Sequence, residues 1–255
     1  MGLGRPKIGI WRWRVGLREV GILLAIYGVY FLTRGNLPDR EVTAFLNSLQ
    51  IVDWEKKLGI FVESDFQSLF LRNALFVKLL NWIYSYYLPV VIIFGFWLYH
   101  RSRERYVLVR NVLIVSAALG FIVFALYPVA PPRMIPGLGF TDTLSTHGGL
   151  RYDLPGYADM VNPYAAMPSF HFAWTLLVGI GTVYMARAWW LKVLGGLFPL
   201  GSLVAIVATG NHFVLDAIAG GLLIGLSYAI VVLFTRSKGR RANGIRVASA
   251  PERPA

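Results

Sequence analysis

The sequence predicts an all-α, polytopic membrane protein: a six-transmembrane-helix bundle with short amphipathic helices at the membrane surface. Three observations predict it. Hydrophobic residues make up 56% of the 255-residue chain and charged residues 15%, well past the soluble norm. The apolar residues fall in runs, several of them close to the roughly 20 residues that cross a bilayer. The Lys and Arg behind the formal charge of +12 sit mostly in short clusters between those runs, a pattern that reports orientation in a membrane rather than nucleic-acid binding.

Taken in order, a basic arm (residues 1–19, with Arg5, Lys7, Arg12, Arg14 and Arg18) leads into a first span of about Val20 to Thr33. The arm resembles a secretory signal, but no small-residue cleavage site precedes the charged stretch Arg34 to Arg40, so the run reads as a retained span. Residues 35–78 mix Leu46, Leu49, Ile51, Trp54 and Phe61 with charges, which predicts short amphipathic helices lying in the extracytoplasmic interface. A second span covers about Ile83 to Tyr99, and a third about Val107 to Leu126. Pro128, Pro131 and Pro132 forbid its continuation and open an extracytoplasmic loop, residues 127–167. The fourth span begins at Pro168, suited to a first helical turn, and ends near Arg187. The fifth covers about Val193 to Ala208 and the sixth His212 to Phe234. Residues 20–235 thus form one membrane domain, followed by a basic tail, 236–255, expected to be disordered. In the sixth span Ala217, Gly221 and Gly225 recur every four residues, which admits a close helix neighbour.

Six spans put both termini on one side. The arm, the two short basic turns and the tail hold 16 of the 25 Lys and Arg, so that side is cytoplasmic, in the cell (plasma) membrane. Arg133, His171 and His212 then share the extracytoplasmic ends of spans three, four and six.

Chemistry concentrates at those ends. In Gly210-Asn211-His212-x-x-x-Asp216 the histidine and aspartate stand one helical turn apart, close enough for the carboxylate to orient the imidazole. The other ring nitrogen is then presented as a base or nucleophile. A polar pair that merely ties two helices together is the competing reading; the second histidine, in Met167-Pro168-Ser169-Phe170-His171, weighs against it. The chain has no cysteine, which excludes thiolate metal sites and cysteine nucleophiles.

Together, Ala130-Pro131-Pro132-Arg133, Pro168-Ser169-x-His171 and His212-x-x-x-Asp216 resemble the type-2 phosphatidate phosphatase superfamily, over roughly the second through sixth spans. The resemblance implies that His212 attacks phosphorus and forms a phosphohistidine, with Asp216 orienting it. It makes His171 the general acid and then the base, and Arg133, Ser169 and Asn211 the phosphate contacts. Departures are visible. Leu126 stands where the family usually has a Lys, Ile206 where it has an Arg, and Phe170 where it has a Gly. Arg151, Lys56, Lys57 and His147 are candidates to replace the missing cations. A cation-poor site suits a singly charged phosphodiester better than a monoester. The pattern is similar to the branch containing inositol phosphorylceramide synthases, which implies transfer of a phospho-alcohol head group from a membrane phospholipid to an alcohol, lipid or glycan acceptor. Hydrolysis of a lipid phosphate or polyprenyl (di)phosphate is the alternative, and a lipid-phosphate-binding transporter or scaffold the non-enzymatic one.

Asp142 lies between Arg133 and His171 and either orients Arg133, binds a polyol, or caps a turn. Asp153, Asp159 and His147 lack metal-ligand spacing, so neither metal nor other cofactor is expected. No nucleic-acid partner is expected. Trp82, Tyr84, Tyr86, Tyr87, Trp189 and Trp190 read as an interfacial aromatic belt.

Overall fold

The structure, a computed structural model, describes residues 21, 28, 40–148 and 162–248, with side chains to residue 237. The chain divides into a unit of residues 1–39 and a unit of residues 40–255. The basic arm, the first span and Arg151, Asp153 and Asp159 fall outside the described residues, apart from Gly21 and Gly28, which are helical. In the second unit the described residues form α1 (Glu41–Leu58), α2 (Glu63–Leu71), α3 (Ala74–Ser85), α4 (Tyr87–Arg101), α5 (Arg103–Leu126), the short α6 (Thr143–His147), α7 (Phe170–Met185), α8 (Trp189–Ala208) and α9 (Val214–Ala248). All regular elements among them are helical, as the sequence predicts; a single parallel bridge, Val129 to Ala165, is the extended exception.

Among the described residues three helices are long and apolar enough to cross a membrane: α5, α8 and the Val214–Ser237 part of α9. A fourth crossing arises if α3 and α4, bent by 48°, count as one. The helix α7 is apolar but has 16 residues, about 24 Å at 1.5 Å per residue. Helices therefore stand where spans two to six are expected, while the six-span bundle is seen only to this extent. The last helix overruns its expected end. It continues beyond Phe234 to Ala248, where a disordered tail is expected, because Arg, Lys and Ala there are good helix formers.

The helices α1, α2 and α3 lie in the stretch expected to be amphipathic, but α1 reverses the usual arrangement. Its buried stripe is Ala44, Ser48, Ile51, Val52 and Glu55, while Val42, Leu46, Leu49 and Leu58 are exposed. An apolar outer face suits a helix lying in a lipid interface; the inner polar groups each meet a fixed backbone partner. Ser48 Oγ donates to the Ala44 and Ala130 carbonyls at 2.7 and 2.9 Å. Asn47 Nδ2 donates to the Pro128 carbonyl at 2.8 Å. These bonds clamp α1 onto the proline-rich exit of α5.

Packing then converges on the starts of α7 and α9. The helix α7 lies along α8, α9 packs on α5 and α7, and α3 packs on α8. Phe213, fully buried just before α9, fills the space between Ile51, Val52, Val129 and Ala166. The close approach predicted for Gly221 and Gly225 occurs instead at Gly220, where a Cβ would stand 2.5 Å from the Ser169 carbonyl oxygen. Only glycine allows α9 to lie this near the start of α7.

Candidate active site

The two histidine motifs are joined by backbone. Ser169 precedes α7 and caps it, its Oγ accepting from Phe172 N at 3.4 Å. The Ser169 N–H donates to the Asp216 carbonyl at 3.0 Å. Pro168 consequently sits before the cap rather than in the first turn. On the other side, Val129 N donates to Tyr164 O at 2.9 Å and Ala166 N to Val129 O at 3.1 Å, stitching the segment before Arg133 to the segment before His171.

His212 lies ahead of α9, not inside a helix as expected. Its Nδ1 is 2.9 Å from the Ala166 carbonyl oxygen and 3.4 Å from Asp216 Oδ2. A carbonyl can only accept, so Nδ1 carries a proton, and in the neutral imidazole Nε2 is the nitrogen that keeps its lone pair. That Nε2 faces His171 Nδ1 at 3.3 Å. Asp216 thus supports His212, but the nearer partner is a backbone carbonyl. The Asp216 carboxylate is shared with the start of its own helix: Oδ2 accepts from Phe213 N at 2.9 Å, half of a capping box.

Arg133 is brought to the same place. Its N–H donates to the Gly210 carbonyl at 2.9 Å, its Nη1 donates to Asn211 Oδ1, and its Nε is 3.7 Å from Asp142 Oδ1. Gly210 has φ of +67°, a left-handed turn that glycine adopts freely and that presents Asn211 to Arg133. Asn211 Nδ2 donates to Thr209 Oγ1 at 2.6 Å, so both ends of its amide are held. Asn211 and Ser169, expected as phosphate contacts, are respectively a guanidinium support and a helix cap in this structure. Asp142 fills two of its expected roles, pairing with Arg133 and capping α6 through Leu144 N at 3.1 Å.

Of the candidates for replacing the missing cations, the three among the described residues make contacts elsewhere. Lys57 pairs with Asp53 at 2.6 Å on an exposed face, Lys56 lies over the Phe61 ring, and His147 contacts its neighbour Thr146.

Four further features carry no signal in the motifs. Tyr84 and Tyr87 each put a ring 4.1 Å from the His171 ring, centroid to centroid, instead of joining the interfacial belt, because the bend at Tyr86 turns both inward. Trp82, Tyr86, Trp189 and Trp190 are exposed as a belt requires. Gln67 holds the loop by accepting from Thr141 N at 2.8 Å and donating to Thr141 O at 3.1 Å. Asn81 donates to Thr143 O and Gly148 O at 2.7 and 2.6 Å and accepts from Thr143 Oγ1 at 2.9 Å. Glu63 Oε1 and Glu55 Oε1 accept from Val214 N and Leu215 N at 2.9 and 2.7 Å, supplying the first turn of α9 with acceptors. The signal for Glu55 is its place in the inner stripe of α1.

The chain is 26% identical over 161 residues to a phosphoinositol dihydroceramide synthase of Bacteroides thetaiotaomicron, covering 58% of this chain and 51% of that one. It therefore spans about half the length of that relative. No solved structure matches. The profile of the PAP2 superfamily matches residues 49–230, a stretch that contains Arg133, Ser169, His171, Asn211, His212 and Asp216 and most of the chain, and the protein belongs to the PAP2 superfamily.

Proposed function

We propose that the protein is an integral-membrane lipid phosphotransferase that moves a phospho-alcohol head group from a membrane phospholipid to an alcohol acceptor through a phosphohistidine on His212. One observation carries the proposal: His212 Nε2, deprotonated because Nδ1 faces a carbonyl at 2.9 Å, stands 3.3 Å from a second imidazole. A nucleophile with an acid–base partner in reach is the minimum for covalent phosphoryl transfer.

In the first step Nε2 attacks phosphorus and the bond to the lipid alkoxide breaks, while His171 gives that oxygen a proton. In the second, His171 takes the proton of the acceptor hydroxyl, whose oxygen attacks phosphorus as the P–N bond breaks. Arg133, aimed by Asn211 and Asp142, stabilises the non-bridging oxygens as charge develops. The local charge balance favours a diester. Asp216 is buried 3.4 Å from His212 Nδ1, Glu55 and Glu63 are buried against the turn that follows, Arg133 is the guanidinium that the described residues bring to Asn211, and a second negative charge on the phosphate adds repulsion. The name of the Bacteroides relative agrees with phosphoinositol as the head group. The site faces the extracytoplasmic side.

The test is a mass-spectrometric product screen in detergent with phosphatidylinositol, phosphatidic acid and a polyprenyl diphosphate, each with and without a ceramide or simple alcohol. The expected result is consumption of phosphatidylinositol only with acceptor present, and a loss of about three orders of magnitude or more in His212→Ala. Inorganic phosphate released from the monoester or diphosphate would instead establish a phosphatase.

A further inference from the structure

Glu55 and Glu63 come from the interfacial helices, yet both are fully buried against the first turn of α9. Each spends one oxygen on a backbone N–H of that turn. The second oxygen of each, Glu55 Oε2 and Glu63 Oε2, has no donor, and neither does the buried Asp216 Oδ1. A buried carboxylate oxygen without a donor is costly, and two adjacent carboxylates cannot both remain ionised without compensation. No group of three or more His, Asp or Glu among the described residues is arranged to hold a metal ion. A proton between the two glutamates satisfies both of their orphan oxygens at once.

We infer that Glu55 and Glu63 form a proton-sharing pair carrying one negative charge, and that as positioning residues they hold the start of α9 and so set the Asp216–His212 unit. The role rests on His212 being the nucleophile; the shared proton does not. A single charge is what the geometry accommodates. It meets the positive end of α9 while sparing Asp216 a second like charge. The groups facing the pair are Asp216 and, beyond it, His212, with the Tyr127 hydroxyl also feeling the Asp216 charge. Burial first, and Glu63 second, push the Glu55 carboxyl up from its ordinary 4.5 to about 9, so the pair stays singly charged at neutral pH. Above about 9 it becomes dianionic and repels Asp216, and turnover falls on the alkaline side.

Glu→Gln is the informative substitution, because an amide replaces a neutral carboxyl and can donate to the remaining carboxylate. The experiment uses the full chain in detergent. Infrared spectroscopy follows the C=O stretch of a protonated buried carboxyl, and kcat/KM is measured against pH with phosphatidylinositol and acceptor. The wild type is expected to show the band at neutral pH and the alkaline fall in rate. Glu55→Gln and Glu63→Gln are each expected to lose the band, keep neutral-pH activity within about threefold, and lose the alkaline fall. The double variant, with no charge at the helix start, is expected to lose about tenfold or more. Absence of the band in the wild type, its survival in both single variants, or an unchanged alkaline fall in both would overturn the inference; a purely structural pair would lower the melting temperature without moving either readout. Turnover retained by His212→Ala with the band intact would overturn the nucleophile reading and the positioning role with it, while leaving the shared proton established by the spectrum.

Discussion

The long apolar helices and the short interfacial ones contribute to the site in opposite ways. The groups that act on the substrate in the proposed reaction stand in the first turn of α7 (His171) and in the connections after α5 (Arg133) and before α9 (His212). From α1, α2 and α3 come Ser48, Glu55, Glu63, Gln67 and Asn81, buried polar residues that each bond to backbone. In that proposal the long helices present the catalytic groups, and α1, α2 and α3 carry the scaffold that aims them. Polarity inside this protein therefore marks support as much as chemistry, since a loop held near a membrane needs each buried backbone group satisfied.

Three substitutions test that contrast. The largest expected effect is Asn81→Leu, which leaves Thr143 O, Gly148 O and the Thr143 hydroxyl without their partner; a loss of about 3 kcal/mol follows from removing several buried bonds, read as a lower melting temperature with loss of activity. If α3 merely floated at the surface, added hydrophobicity there would be neutral, and the contrast would break. Next is Gly220→Ala, whose Cβ would meet the Ser169 carbonyl at 2.5 Å. Overpacking of this kind costs about 1–3 kcal/mol, and the displaced α7 is expected to lower kcat more than it raises KM. The smallest is Lys57→Ala. It removes an exposed i,i+4 pair with Asp53 worth at most about 0.5 kcal/mol, so melting temperature and activity are expected to stay put; a marked loss of activity would show that Lys57 supplies a phosphate cation after all.

The apolar half was legible because a helix that buries itself among other helices or in lipid needs a continuous run of apolar residues, and such runs are visible without knowing their neighbours. The convergence of Arg133, His171 and His212 followed from helix order. The scaffold was not legible for the same physical reason in reverse. Glu55 and Leu215, or Asn81 and Thr143, are far apart in sequence, and a lone Glu or Asn on a mixed helix reads as a solvated face. Ala166 acts through its carbonyl, which every residue possesses, so its side chain gives no sign. Tyr84 and Tyr87 read as a belt because a 48° bend cannot be seen in hydropathy. His212 reads as helical because the apolar pattern runs through it; the Asp216 side chain, bonding back to Phe213 N, starts the helix two residues later.

The stitch between Val129 and the Tyr164–Ala166 segment pins both ends of the intervening stretch at one point beside the start of α7. Its ends meet, so what lies between them closes a loop whose length adds little entropic cost, about 0.6 kcal/mol for each doubling. The Ala166 carbonyl that faces His212 is held by the stitch itself, but Arg133 and Asp142 lie inside the loop, so an exchange there reaches the guanidinium as well.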